Sequence, residues 1–172
     1  PSVMASSAPK QVGANEKIVI GLIGCGGMGA SNMRSLMGHP DVEIAALCDV
    51  DANVRAKGAE TVKAAQGKAP KLYKDMREAF QDKEIDAVTI ATPNHWHALA
   101  SIWACQAGKD VYVEKPMSHN IFEGRQVAAA AKKYNRIVQH GTQSRSDATL
   151  IRDMKLIHDG FIGKIVESRG YV

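Results

Sequence analysis

The sequence predicts an α/β protein built on a doubly wound parallel sheet, and three observations carry that expectation. From residue 17 onward, short apolar stretches with strand character alternate with longer helical stretches, the pattern of βα units joined by right-handed crossovers. The first of these strands, residues 17–23, is aliphatic and β-branched with Gly21 as its one interruption, which suits a strand covered on both faces. Between that strand and the next helix stands Gly24-Cys25-Gly26-Gly27-Met28-Gly29, with Gly24, Gly26 and Gly29 on a G-x-G-x-x-G spacing.

Each element can be justified in order. A helix over residues 27–36 is stopped by Gly38-His39-Pro40, and a second strand over 42–48 ends at Asp49. Asp51 is placed to cap a helix through Gln66, closed by Gly67. Residues 71–73 make a short third strand; Asp75 with Glu78 three residues later forms a capping box that opens a helix through Phe80. Residues 86–91 are the fourth strand, followed by the loop Thr92-Pro93-Asn94, a helix over 97–107 closed by Gly108, and a fifth strand over 110–113. A helix over 121–134, a sixth strand over 136–140, a helix over 147–158 and one more strand over 164–172 complete the chain.

Composition narrows the function classes. The chain has 172 residues, 45% apolar and 23% charged, as a globular protein does. Its net charge of +4 is mild and the basic residues are scattered, with Lys132-Lys133 the one adjacent pair, so no nucleic-acid partner is expected. No apolar stretch has the length that crosses a bilayer, and no membrane partner is expected. Cys25, Cys48 and Cys105 are an odd number in apolar or glycine-rich settings and read as small buried residues. Residues 1–16 are rich in Ser, Ala, Pro and Gly, begin without Met, and read as a flexible arm. Such an arm suits a cytoplasmic protein clipped at its start, or a periplasmic or exported one whose signal has been removed.

The glycine turn has a specific chemistry. The first glycine permits the tight turn, the second lets backbone approach a pyrophosphate, and the third lets helix pack close to strand, while the helix N-terminus presents unpaired N–H groups. Asp49 stands 20 residues after Gly29, where a carboxylate meets the adenosine ribose hydroxyls. Strand, glycine turn, helix, strand and acid in that order predict a dinucleotide site. Asp49 favours NAD over NADP, since it would repel a 2′-phosphate, no Arg or Lys follows it before Arg55, and Asp51 adds negative charge.

In a doubly wound sheet the ligand sits at the carboxyl ends of the strands, and three loops there are rich in chemistry: Thr92-Pro93-Asn94-His95-Trp96-His97, Glu114-Lys115-Pro116 and His140-Gly141-Thr142-Gln143-Ser144-Arg145. With the glycine turn, T-P-N-x-x-H and E-K-P in this order, the sequence from Lys17 to Val172 resembles the Gfo/Idh/MocA oxidoreductases. The resemblance implies a Rossmann domain over residues 17–163 followed by a larger α/β substrate domain, of which residues 164–172 would be only the first strand. It also implies that the family's Asp/His acid–base pair lies beyond this chain, that the isolated domain is inactive, and that the full-length protein is a homo-oligomer.

Lys115 follows a strand and precedes a proline that fixes its loop; its ammonium is the expected catalytic group, stabilising an alkoxide as hydride leaves or moving the proton. The bland alternative is a solvated surface lysine. Expected at the cofactor are Gly24, Gly26, Gly27, Met28, Gly29, Asp49, Thr92, Pro93, Asn94, His97, Glu114 and Lys115. The resemblance puts Glu114 and Asn94 near the nicotinamide ribose, yet Glu114 also suits a salt bridge and Asn94 a plain N-cap. His97 either approaches the nicotinamide or caps the helix end. His95, Trp96 and Arg145 are expected to face the substrate, with core packing the alternative for Trp96 and for Trp103. The spacing of His95, His97, His119 and His140 matches no standard ligand set, so no metal is expected.

The function expected from all this is hydride transfer between nicotinamide and a hydroxyl of a sugar, cyclitol or polyol. Two alternatives remain: a glycoside hydrolase or lyase that uses retained NAD through a transient keto-sugar, and a non-catalytic nucleotide-sensing regulator.

Overall fold

The computed structural model describes residues 17–170. The expected arm, residues 1–16, and the end of the last expected strand, residues 171–172, lie outside them. The described chain divides between Gly141 and Thr142 into two compact units.

The first unit alternates strand and helix: β1 (Ile18–Ile23), α1 (Gly27–Met37), β2 (Val42–Cys48), α2 (Ala52–Gln66), β3 (Lys71–Tyr73), α3 (Met76–Gln81), β4 (Ala87–Ile90), α4 (Asn94–Gln106), β5 (Asp110–Val113), α5 (Ile121–Tyr134) and β6 (Val138–His140). All strand pairs are parallel, in the order β3-β2-β1-β4-β5-β6. The order reverses between β1 and β4, which makes their carboxyl ends the topological switch point of a doubly wound sheet.

Local signals account for the helix ends. Asp51 accepts from the backbone N–H groups of Asn53 and Val54 at the start of α2, and Gly67 closes that helix at φ 73°. Asp75 caps α3 through Arg77 N, and Asn120 caps α5 through Glu123 N. Each such cap contributes on the order of 1 kcal/mol by satisfying an otherwise orphaned N–H.

Two apolar layers cover the sheet. Leu22, Met33, Ile44, Leu47 and Val62 pack α1 and α2 onto one set of strand residues. Ile23, Phe80, Ile90, Ala104, Val113 and Ala130 pack α3, α4 and α5 onto the other. Ile20 pairs with Ile44 but Gly21 with Ala46, so Ala45 is an extra residue in β2. That bulge switches the alternation of the strand, and it explains why Ile44 and Leu47 share one layer while Ala46 and Cys48 belong to the other.

In the second unit a 3-10 turn (Gln143–Ser146) precedes α6 (Ala148–His158), whose first turn is capped by Asp147 through Thr149 N and Leu150 N at 2.9 and 3.0 Å. Residues 164–170 form no strand, against the expectation for 164–172. A strand exists only where a neighbour completes its hydrogen-bond ladder, and no partner for this segment occurs among the described residues. No helix among them is long and apolar enough to cross a membrane.

Candidate dinucleotide and hydride-transfer site

Backbone register gathers the site. Gly24 N donates to Cys48 O at 2.8 Å, Ala91 N to Ile23 O at 2.8 Å, Glu114 N to Ile90 O at 2.9 Å and Gly141 N to Val113 O at 2.8 Å. These bonds set the glycine turn, the Asp49 end of β2, the Thr92-Pro93 turn and the Glu114-Lys115-Pro116 loop in one row along the carboxyl edge.

The glycines of the turn have different jobs. Gly24 sits at φ +85°, and a Cβ there would come within 2.7 Å of Ala91 O. At Gly29 a Cβ would stand 1.9 Å from Gly24 O, so the third glycine lets α1 rest directly on the turn. At Gly26 and Gly27 a Cβ would meet nothing within 4 Å. Their missing side chains instead keep open the space in front of the α1 N-terminus, where Gly26 is the N-cap and no side chain caps the helix. Free N–H groups facing open space are what a pyrophosphate requires. Met28, in the first turn of α1, is 50% exposed.

Asp49 closes the next position. Its Oδ2 accepts from Cys25 N at 2.8 Å and its Oδ1 from Asp51 N at 3.0 Å, leaving a lone pair on each oxygen for a ribose hydroxyl. Arg55 Nη1 donates to Asp49 O. Gly24, Gly26, Asp49, Thr92, Pro93 and Trp96 line a cavity of about 850 Å³, together with residues 74–78 before and within α3. The size suits a bound nucleotide. Within it Arg77 pairs with Asp75, Nε to Oδ2 at 3.0 Å, and that hydrogen bonding holds the Asp75 carboxyl down at about 2.

Beyond Thr92 the edge carries Glu114 and Lys115. Glu114 is buried and Lys115 exposed. Asn32 Nδ2 on α1 donates to Glu114 Oε1 at 2.9 Å, and Lys115 N bonds Glu114 Oε2 at 3.3 Å. Lys115 Nζ makes no hydrogen bond among the described residues. Two buried polar atoms there lack partners, Thr92 Oγ1 and His140 Nε2, and both lie at strand ends where a polar ligand would meet them. The phosphate-sized opening at Gly26, the oriented Asp49 and the orphaned Thr92 hydroxyl fit NAD.

Several expected residues take other places. His97 is 2% exposed, with Nδ1 2.6 Å from Pro116 O and Nε2 2.8 Å from Thr92 O; it has no nitrogen left for the nicotinamide and caps no helix. Pro93 holds the N-cap position of α4 and Asn94 is already helical, so Asn94 is exposed in the first turn and is not an N-cap. Trp96 lines the cavity that Asp49 also lines, its ring 6.4 Å from that of Trp103. His95 is exposed, 6.0 Å from the Trp96 ring. Arg145 lies in the 3-10 turn of the second unit. Sequence reasoning missed Asn32, whose spacing of three residues from Gly29 on α1 was the available signal, and the contribution of residues 74–78 to the cavity.

A parallel sheet with an uncapped glycine turn and an oriented carboxylate at its switch point has the form of a dinucleotide-binding domain. The chain belongs to the Gfo/Idh/MocA oxidoreductase family, whose NAD-binding Rossmann-fold model matches residues 18–142. Among similar proteins, inositol 2-dehydrogenase of Salmonella typhimurium is 32% identical over 155 residues, 88% of this chain and 45% of the relative. A glycosyl hydrolase family 109 protein of Saccharopolyspora erythraea is 28% identical over 161 residues, 91% of this chain and 35% of that protein. The crystal structure of myo-inositol 2-dehydrogenase from Lactobacillus plantarum superposes with a TM-score of 0.76 at 29% identity, covering 88% of this chain and 44% of that one. The chain thus spans less than half the length of these relatives.

Proposed function

We propose that the protein carrying this chain is an NAD-dependent oxidoreductase acting on a CH–OH group of a cyclitol, sugar or related polyol. The observation that carries the reading is the row of bonds that sets Glu114-Lys115-Pro116 beside the Thr92-Pro93 turn at the switch point. When bound, NAD supplies the acceptor for the hydride that leaves the carbinol carbon with its electron pair. Gly26 and the α1 N-terminus hold the pyrophosphate, and Asp49 the adenosine ribose. Glu114 and Thr92 offer acceptor and donor on the nicotinamide side. Lys115, a cation beside the carbinol oxygen, stabilises negative charge on that oxygen as the hydroxyl proton departs, and accepts or relays that proton when its own ammonium has lost one. The relatives named inositol 2-dehydrogenase support a cyclitol as substrate. The remainder of the substrate pocket and the assembly into oligomers belong, on this reading, to a domain after residue 163.

The similarity to a family 109 glycosyl hydrolase over 91% of the chain supports a second reading: transient oxidation of a glycoside by retained NAD, cleavage, and return of the hydride. Incubating the full-length protein with NAD and a panel of inositols, sugars and aryl glycosides separates the two. NADH that accumulates in proportion to oxidised product is expected. Glycoside cleavage without net NADH would replace that reading with the second, and turnover of neither class would overturn both.

A further inference from the structure

Lys115 is flanked by two hydrogen-bonding anchors that come from opposite faces of the sheet. On one side Glu114, 4% exposed, takes Asn32 Nδ2 at 2.9 Å from α1. On the other side Pro116 O faces His97 Nδ1 at 2.6 Å from α4. The same imidazole reaches Thr92 O with Nε2 at 2.8 Å, so one ring ties the loop after β5 to the loop after β4. Ser101 Oγ donates to His97 O at 2.7 Å, within the helix that carries the ring. By contrast Lys115 itself is exposed and its backbone N–H has only the 3.3 Å bond to its neighbour's carboxylate.

We propose that His97 and Asn32 are positioning residues that together set the location of Lys115 against the Thr92-Pro93 turn. The physical argument is that a long, flexible ammonium can be aimed only if its backbone is fixed. Here fixation comes through the residue before and the residue after, each tied to a different helix, with the side chain left free for a ligand. A carbonyl oxygen only accepts, so the ring nitrogen facing it must carry a proton to bond it; the neutral ring donates to one of the two carbonyls and the imidazolium to both. Losing the ring takes the donor from at least one of these carbonyls and removes the side chain that stands between the two loops. Losing Asn32 takes one donor from the Glu114 carboxylate and with it the tie between α1 and the residue before Lys115. The inference rests on Lys115 being the group that meets the substrate, but the clamp itself has a readout that needs no turnover.

The test uses the full-length protein as wild type, His97→Phe, which keeps ring volume, His97→Gln, which keeps a donor, and Asn32→Leu, whose site is only half-buried. Amide hydrogen exchange in residues 114–118 is expected to rise about tenfold in His97→Phe and Asn32→Leu, the loss of one partly buried bond. Exchange in residues 92–94 should rise with it only in His97→Phe, and His97→Gln should restore part of both. Protection in β1 and β4 should not change. Unaltered exchange in 114–118 in both variants overturns the clamp, and so does a uniform rise across the sheet, which marks a merely structural role. If the wild type turns over a substrate, kcat should fall about tenfold or more in both variants while NADH affinity stays within about twofold. An unchanged kcat would overturn the link to Lys115. If the wild type turns over nothing, the functional reading fails and exchange still decides the clamp.

Discussion

The carboxylate of Asp49 is bonded to the glycine turn that it serves: its Oδ2 accepts from Cys25 N at 2.8 Å, across 24 residues of sequence. The bond joins the end of β2 to the middle of the glycine turn, so the two groups proposed to hold ribose and pyrophosphate are set relative to one another by the fold itself. Preorganisation of this kind removes an ordering cost from binding.

Replacing Asp49 by Ala is therefore expected to lower NAD affinity by roughly tenfold to a hundredfold, as for loss of hydrogen bonds to a charged acceptor. The loss for NADP should be smaller, because the repulsion of a 2′-phosphate goes with the carboxylate. Titration of cofactor fluorescence with both nucleotides measures the two affinities, and an unchanged NAD/NADP ratio would remove Asp49 from the ribose site.

Gly29 and Gly26 should fail in opposite ways. A methyl at Gly29 lies 1.9 Å from Gly24 O, so Gly29→Ala must push α1 off the turn and should cost about 1–3 kcal/mol in urea unfolding, as overpacking does. A methyl at Gly26 meets no protein atom within 4 Å. Gly26→Ala should leave stability within about 0.5 kcal/mol and still weaken NAD binding, because it fills the space kept for phosphate.

Lys115→Met keeps the length of the side chain and removes its charge. In the full-length protein kcat is expected to fall by about a hundredfold or more, the usual contribution of a positioned acid–base group, with NAD affinity nearly unchanged because the proposed adenosine contacts at Asp49 and Gly26 are left intact. Turnover equal to wild type would sink the catalytic assignment.

The three thiols should be inert and alkali-sensitive. Burial pushes Cys25 up to about 12, helped by the Asp49 carboxylate; burial also lifts Cys48 to about 12 and Cys105 to about 11 from an ordinary 9.0. The native chain keeps these protons while the unfolded chain loses them above the ordinary value, so stability falls as pH rises from 9.0 toward those raised values. The loss in that window is up to about 1.4 kcal/mol per pH unit for each thiol. Iodoacetamide at pH 9 should label the unfolded chain readily and the native one hardly at all. Urea midpoints should drop between pH 8 and pH 10, less steeply in Cys105→Ala. Rapid native labelling of Cys25 would contradict the burial that sets these values.

Helix and strand order, the Asp51 and Asp75 caps, the Gly67 stop and the ends of β3, β5 and α5 follow from local chemistry and were legible in the sequence. So were the packing roles of Gly24 and Gly29, because a glycine requirement at a turn depends on a few adjacent residues. α4 begins three residues earlier than the expected 97, since Pro93 itself serves as the N-cap residue and Asn94 continues the helix. A proline just before a helix could be read as loop or as helix start, and only packing chose. The strand expected from residue 164 onward has strand character in its sequence, but residues 164–170 have no ladder partner among the described residues.

By itself, then, the sequence determined a doubly wound α/β domain with a glycine turn after its first strand, a carboxylate at the end of its second and a lysine at the end of its fifth, because each of those signals lies within a few residues of chain. The tertiary structure alone decided what stands beside what. Parallel register placed Gly24, Thr92 and Glu114 on one edge, the bulge at Ala45 split β2 between two cores, and Trp96 went to the Asp49 cavity. His97 sank from a ligand position to a bridge between two loops, and Asn32 reached Glu114 across 82 residues. Such pairings join residues far apart in the chain, and no local propensity encodes them; they exist only once the sheet fixes the distance between its loops.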